Sequence, residues 1–411
     1  MPDKLRAVFR QGAFARYMAG EAVSMTGTWM QVMAQNWVMT SLTASAAMFG
    51  LVNFAVGIPM LALSMVGGVA ADRFDRRHIL LTTQVVQIAL ALLIGWLVAV
   101  ERIAVWHILA VAFVLGVSNS FEWPAAAALV PELVPREHIA TAIAIDRSVF
   151  HGTRLIGPAL AGYVIGLSSS AMAFFLNALS FVAFIVALMG IQPRAQGPPE
   201  EQAQRRTGIK AGLAHVRSDK PTLGMVALMA ATTAFVFPVV VVMMPLYATK
   251  VLGLGPDKMG LLMAISSIGS LSGSASLLAV PANKRRRLMV VAVIGVAAAL
   301  MSLSQARAFA VAAASLAVSS LGTSTLLGLA NTVVQERAPG PLRGRVSAVA
   351  GYSFFGLMPF TSLGLTSLAD SIGKRETLGV AAALYLVTGV AVLLLSRRRP
   401  GDGSQAPKPE T

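Results

Sequence analysis

The chain has 411 residues, of which 56% are hydrophobic and only 12% charged, against roughly 25% charged in an ordinary soluble domain. A mean hydropathy of +0.71 excludes a disordered chain and most water-soluble folds, because that much apolar surface in water would aggregate. The net charge of +15 is spread in short clusters between apolar stretches, a pattern of membrane-flanking loops rather than of nucleic-acid binding. There are no cysteines, hence no disulfide framework, thiolate metal site or cysteine nucleophile. The five histidines (His78, His107, His138, His151, His215) have no metal-ligand spacing, and no phosphate-binding P-loop occurs; neither a metal, a cofactor nor direct ATP drive is expected.

A helix that crosses a bilayer needs about 20 mostly apolar residues. Windows of this kind predict twelve spans in chain order: 17–40, 45–71, 78–100, 104–129, 140–166, 171–192, 221–246, 258–281, 288–305, 308–334, 346–369 and 377–396. The first is too long for a cleavable signal peptide and lacks a small-x-small site. Alternating strands of about 10 residues, which a β-barrel requires, are absent. With these boundaries, 25 of the 33 Lys and Arg residues fall on one set of connecting segments and 6 on the other. The basic side reads as cytoplasm. Both termini then face it, as expected for a multi-pass protein of the cell inner (plasma) membrane.

The longest polar segment follows six spans and precedes six more. The expected organisation is a six-helix half over 1–192, a cytoplasmic linker over 193–220, a second six-helix half over 221–396 and a disordered cytoplasmic tail over 397–411. Pro, Gly, Gln and Glu make the linker flexible, and Ile209–Val216 reads as a short amphipathic helix on the membrane surface. Val130-Pro-Glu-Leu-Val-Pro135 after the fourth span is matched 204 residues later by Val334-Gln-Glu-Arg-Ala-Pro339 after the tenth. Arg76-Arg77 and Arg286-Arg287 likewise follow the second and eighth spans. Duplicated helical halves with a site between them are a transporter architecture.

The loop after the second span reads Gly68-Val-Ala-Ala-Asp72-Arg73-Phe-Asp75-Arg76-Arg77. It resembles the G-x-x-x-D-R-x-G-R-R loop of the major facilitator superfamily, with Asp75 in place of Gly. Gly157-Pro158-Ala-Leu-Ala-Gly162 in the fifth span resembles the Gly-Pro antiporter motif of that superfamily's exporters, with Ala161 where a second Gly stands. Gly27-Thr-Trp-Met-Gln31, Phe121-Glu-Trp-Pro124 and Pro131-Glu-Leu-Val-Pro135 are similar to the branch of enterobactin-exporter-like secretion proteins. The resemblance covers the whole chain. It implies an all-α membrane protein, the major facilitator fold, with twelve transmembrane helices in two pseudo-symmetric six-helix halves. It also implies that Asp72, Arg73, Arg76 and Arg77 latch the halves in one state and release them in another, with Gly68 letting two helices approach closely.

Ionised groups inside a bilayer are costly, so they border a cavity or a partner. Glu21, Ser24, Thr28, Gln31 and Gln35 recur at steps of 3 and 4 and share one helix face. In this fold the first and fourth helices line a central cavity, so the stripe reads as cavity wall, and so do Asn119 and Glu122. Glu122 is the candidate proton carrier, with a fixed ion pair or packing beside Pro124 as the alternative. Arg154 in the fifth span does not neutralise by losing its proton; Glu122 or Glu21 is its expected partner, with Asp146 on its own helix. In the second half, Ser266–Ser276 reads as a close-packing helix face. The expected function is a proton-coupled secondary exporter of small amphipathic molecules, drug-like compounds or siderophores, acting as a monomer among membrane lipids without nucleic acid. An importer of the same fold and a membrane enzyme acting on a lipid-linked substrate are the alternatives.

Overall fold

The structure, a computed structural model, describes residues 2–191, 209–277 and 280–395. Most of the expected linker (193–208) and the expected tail (397–411) lie outside the described residues. All described elements are helical. We label the long ones α1 Gly12–Leu42, α2 Ala46–Arg73, α3 Arg76–Ala99, α4 Val105–Leu129, α5 Ile139–Leu167 and α6 Ser170–Met189. The remainder are α7 Lys220–Lys250, α8 Pro256–Ser276, α9 Arg285–Gln305, α10 Phe309–Arg337, α11 Arg343–Ile372 and α12 Lys374–Leu395. Ten of these, all but α1 and α5, are long and apolar enough to cross a membrane. Helices α1 and α5 have 31 and 29 residues, ample length at 1.5 Å per residue, but they carry the polar stripe and the Asp146, Arg147 and Arg154 charges.

Local chemistry sets the helix ends. The Asp75 carboxylate accepts from the Arg77 N–H (2.8 Å) and caps α3, a gain that the superfamily's glycine could not supply. Asp219 caps α7 by accepting from the Thr222 N–H (3.1 Å), with Pro221 opening the helix. Two interruptions were not evident in the hydropathy. Pro238 lacks an N–H, and α7 widens into a π turn over Pro238–Met243. Helix α11 breaks between Phe355 and Met358, just before Pro359.

Within the first half α2 packs on α4, α1 on α5 and α6, and α3 on α4 and α6; within the second, α8 and α9 pack on α10, and α9 on α12. The close approach of α2 to α4 runs through Gly67, where a Cβ would collide with the Ser120 carbonyl. Gly68 is not the contact residue: nothing lies within 4 Å of a Cβ built there. The two differ by about 100° around the helix, and only Gly67 faces α4. Gly269 and Gly273 bring α8 onto α10 in the same way, against Ala317 and Leu321.

The sequence repeat has a structural counterpart. Arg76 is buried, and its guanidinium bonds the Ala71 carbonyl (3.1 Å), the Ala128 carbonyl (3.4 Å) and Glu132. In the second half Arg285 grips both oxygens of Glu336 at 2.9 and 2.7 Å. Glu132 and Glu336 are the glutamates of the two matched segments. Each pair rivets the start of one helix to the end of another inside a single half. The short helix expected over Ile209–Val216 is present as Ile209–Ser218. Its apolar side does not lie on lipid: Val216 is buried, and a Cβ at Gly212 would stand 2.8 Å from the Arg345 backbone at the start of α11.

Candidate functional site

The two halves meet along two seams, α2 against α11 and α5 against α8. Both are tight at the end of the bundle where α1 turns into α2. There Asp370 of α11 accepts from Ser45 Oγ (2.5 Å), Ala46 N–H (2.7 Å) and Ala47 N–H (3.0 Å). It thus caps the N-terminus of α2 from the opposite half, where a helix favours negative charge. At the other seam, Gly162 and Pro158 of the antiporter-like motif lie against the start of α8. A Cβ at Gly162 would stand 2.7 Å from the Pro256 carbonyl, and one at Gly260 would strike the Pro158 carbonyl. Gly157 works within the first half, where a Cβ would stand 2.5 Å from the Trp29 Cβ. The α5–α8 seam continues to Ser267 Oγ, which donates to the Arg154 carbonyl (3.1 Å). Along the α2–α11 seam the contact runs on through Gly57, where a Cβ would strike Pro359, to the Trp123–Phe355 ring pair at 6.0 Å.

Two cavities of about 290 and 230 Å³ lie side by side between the halves, with Arg154, Val240, Val241 and Ser266 in the lining of both. Helices α1, α2 and α5 wall one side; α7, α8 and α10 wall the other. The Arg154 guanidinium lies over the Trp29 ring, 5.2 Å from its centroid, an arrangement worth more as water is removed. His151, Gln35 and Asn36 are also in the wall. Facing them, Ser266 and Ser320 share a 2.7 Å hydroxyl bond. On α7, Phe237 and Met244 reach the space beside Val236, Val240, Val241 and Val242, whereas Met225, Met229 and Met243 are buried in the core. A third cavity of about 470 Å³ between α2, α4 and α11 shares Asn53 and Val56 with the 230 Å³ one and is lined further by Asn119, Trp123, Tyr352 and Phe355.

The acidic residues are elsewhere. Glu122 is buried and accepts from Gln84 Nε2 (2.9 Å) and from Gln87 Nε2, both on α3. Glu21 lies at hydrogen-bonding range of Asp146, close enough to interact with Glu122, and its Oε2 has no hydrogen-bond partner. Tyr17 is fully buried beside this group and its hydroxyl is also without a partner. Gln31 is turned the same way and accepts from Asn177 Nδ2 of α6 (2.7 Å). The stripe on α1 therefore faces the interior of its own half. The cavity face of α1 is instead Trp29, Val32 and Asn36, reached by the stripe only at Gln35. This corrects the expectation that Glu21, Gln31 and Glu122 are cavity wall. The expected Arg154 ion pair with Glu122 or Glu21 is absent among the described residues: the guanidinium points between the halves, and the acids point into one of them. Asp146 has its ion contact with neighbouring Arg147 (3.9 Å).

At the opposite end of the bundle from Ser45, Asp72 and Arg73 are exposed, with no side-chain bond among the described residues. Arg77 donates to the Met189 carbonyl (2.9 Å), and Arg76 is the rivet described above. The loop thus combines two anchored arginines with a free Asp72. Sequence reasoning missed Trp29, Asn36 and Asn53 as lining groups, although two asparagines inside apolar spans were a usable signal. Asp370, at the far end of α11, carried no such signal, because its role depends on a helix end brought from the other half.

Residues 5–409 match the family described as transmembrane secretion effector. The chain belongs to that family. It is therefore a multi-pass membrane transporter of the major facilitator superfamily, and not an enzyme. It is 26% identical over 407 residues to the multidrug efflux pump Tap of Mycobacterium tuberculosis, covering 95% of this chain and 93% of that one. Macrolide efflux protein A of Streptococcus pyogenes is 21% identical over 397 residues, covering 95% and 97%. An uncharacterized MFS-type transporter, YfiS of Bacillus subtilis, is 28% identical over 279 residues, 66% of this chain and 65% of that relative. Among solved structures, a bacterial homolog of the human lysosomal transporter Spinster, inward-facing and occupied, superposes with a TM-score of 0.71 at 14% identity, covering 95% and 99%. The inward-open xylose transporter XylE from E. coli gives 0.66 at 14% identity, covering 97% and 98%. These last two likenesses establish the fold.

Proposed function

We propose that the chain is a proton-coupled exporter of small amphipathic molecules that works by alternating access. Helices α1 and α5 join the other ten as membrane spans, and the halves 1–192 and 221–396 rock about the central space, with both termini in the cytoplasm of the inner membrane. The observation that carries this reading is the solute-sized space walled by both halves, with both seams closely packed at the Ser45 end. The efflux functions named for its relatives support the direction.

The acid group supplies the coupling. Glu21, Asp146 and Glu122 sit on α1, α5 and α4 of one half, behind the wall that carries Gln35 and Arg154. A proton gained or lost there changes the charge held between three helices that must move together. Two carboxyls in contact form a hydrogen bond only when one holds a proton, so proton transfer alters the α1–α5 packing directly. Gly157, Pro158 and Gly162 let α5 slide on α1 and α8. Asp72, free in this state, engages the second half when the cytoplasmic end closes, while Arg73, Arg76 and Arg77 hold the loop. Asn119 and Asn53 line a second pocket for the solute's path.

Glu122→Gln tests the coupling. Gln84 Oε1 has no hydrogen-bond partner, so its amide can turn to accept from the new Nε2 and the fold is kept. Proton-driven dye export from vesicles should drop at least tenfold with insertion unchanged. Export at the wild-type rate would remove Glu122 from the proton path.

A further inference from the structure

The acids that a carrier of cationic drugs would be expected to present to its solute are turned away from the space between the halves. What remains there is a set of hydrogen-bond donors around one permanent positive charge. No Asp or Glu lines either cavity. Arg154 makes no ion pair and no side-chain hydrogen bond among the described residues; its recorded side-chain contact is the Trp29 ring. The guanidinium carries five N–H donors in a fixed fork suited to a carboxylate, sulfonate or phosphate. The Trp29 indole N–H beside it is buried without an acceptor, and the Thr323 hydroxyl across the cavity is buried and unpartnered. Several hydroxyls of the second half are already committed to each other, Ser266 with Ser320 and Ser274 with Ser324, both at 2.7 Å. An unpaired, largely desolvated guanidinium is a costly thing for a fold to keep. An anionic ligand repays that cost, and a cationic one adds to it.

We infer that the solute is an amphipathic organic anion, its acidic group held by Arg154 and the Trp29 N–H, its apolar body lying along Val240, Val241 and Leu316. The inference rests on the carrier reading above and narrows its solute class. Cationic amphipaths are disfavoured at this site by the same unpaired charge, since like charge at close range in a medium of low dielectric is strongly repulsive.

The test uses two probes with one fluorophore and opposite charge, dansylglycine (anion) and dansylcadaverine (cation), on the full chain in detergent and in liposomes. Binding is read by energy transfer from tryptophan to dansyl, and flux by dansyl efflux. The wild type should bind dansylglycine at least tenfold tighter than dansylcadaverine. Arg154→Gln should abolish that preference, and Arg154→Lys should keep part of it, because the charge stays and the fork is lost. Equal or tighter binding of the cation, or an unchanged preference in Arg154→Gln, overturns the inference. Flux of the cation alone does so too, while leaving the carrier reading intact. Arg154-dependent binding of the anion without flux upholds the inference and sinks the carrier reading. Binding of neither probe overturns the inference.

Discussion

Arg154 sets the terms at the scale of single residues. It is a charge held away from water with an aromatic face for company and no carboxylate in the walls around it. Removing one partner of a buried ion pair destabilises a protein by several kcal/mol, because the other charge is stranded. Arg154 strands nothing. Arg154→Gln is therefore expected to unfold at the wild-type temperature or above it in detergent; a fall of several degrees would reveal a partner that this state does not engage. The same residue shows how far sequence alone could go. That Arg154 is intramembrane, and that it needs an anion, follows from its position in an apolar span. Which anion does not, because Glu21, Glu122 and Arg154 lie on three helices whose rotation about their own axes is fixed by packing. Gln84 and Gln87, one turn apart on α3, decide it for Glu122 by presenting both amides to it.

At the scale of helices, capping across the seam is the principal device. Asp370 satisfies two backbone N–H groups at the start of α2 and a serine hydroxyl beside them. Bonds to a charged acceptor are about twice as strong as neutral ones, so Asp370→Asn should loosen this end. The chain has no cysteine, and Ala44 and Ser371 are exposed, so spin labels on cysteines placed at those two positions report the gap. The asparagine variant should show a longer and broader distance distribution; an unchanged distribution would mean that apolar packing alone holds the seal. Asp219 caps α7 and meets Arg337 at the end of α10 at 2.7 and 2.5 Å. Burial pushes its carboxyl upward, but the Arg337 and Thr222 bonds outweigh burial and bring it down to about 2. A carboxylate depressed on folding stabilises the fold above its unfolded value near 4 and loses that contribution as pH falls through about 2. Thermal stability should therefore decline between pH 5 and pH 2 more in the wild type than in Asp219→Asn; parallel curves would remove the contact from the acid response. Span existence and order were legible from hydropathy, since ten helices are apolar enough to announce themselves. The π turn at Pro238 and the break before Pro359 were not, because a proline in a long apolar run is compatible with a kink, a bulge or a straight helix.

At the scale of the whole molecule, both Arg–Glu rivets, Arg76–Glu132 and Arg285–Glu336, close inside a half. Among the described residues, contacts across the seams are small-residue packing, the Phe54–Phe360 and Trp123–Phe355 ring pairs, the Ser267 bond to the Arg154 carbonyl and the cap at Asp370, with no Arg–Glu pair. Each half is thus stiffer within itself than the join between them, which is what rigid-body rocking requires. The duplication that predicts this was visible as the segment repeated after 204 residues. That α1 turns Glu21 and Gln31 into its own half and Trp29, Val32 and Asn36 toward the space between the halves was not visible, because hydropathy does not fix a helix's rotation about its axis.

A guanidinium facing a shared space without a counter-charge also has an electrical consequence. If a monovalent anion leaves the cell with each proton that enters, two positive charges move inward per turnover. An inside-negative potential of 100 mV then contributes roughly 2.3 kcal/mol for each of those charges. Respiratory voltage alone, without any acid gradient, would expel the solute. In vesicles clamped with potassium and valinomycin at equal pH on both sides, dansylglycine efflux should accelerate as the lumen is made negative; indifference to the clamp would mean an electroneutral cycle.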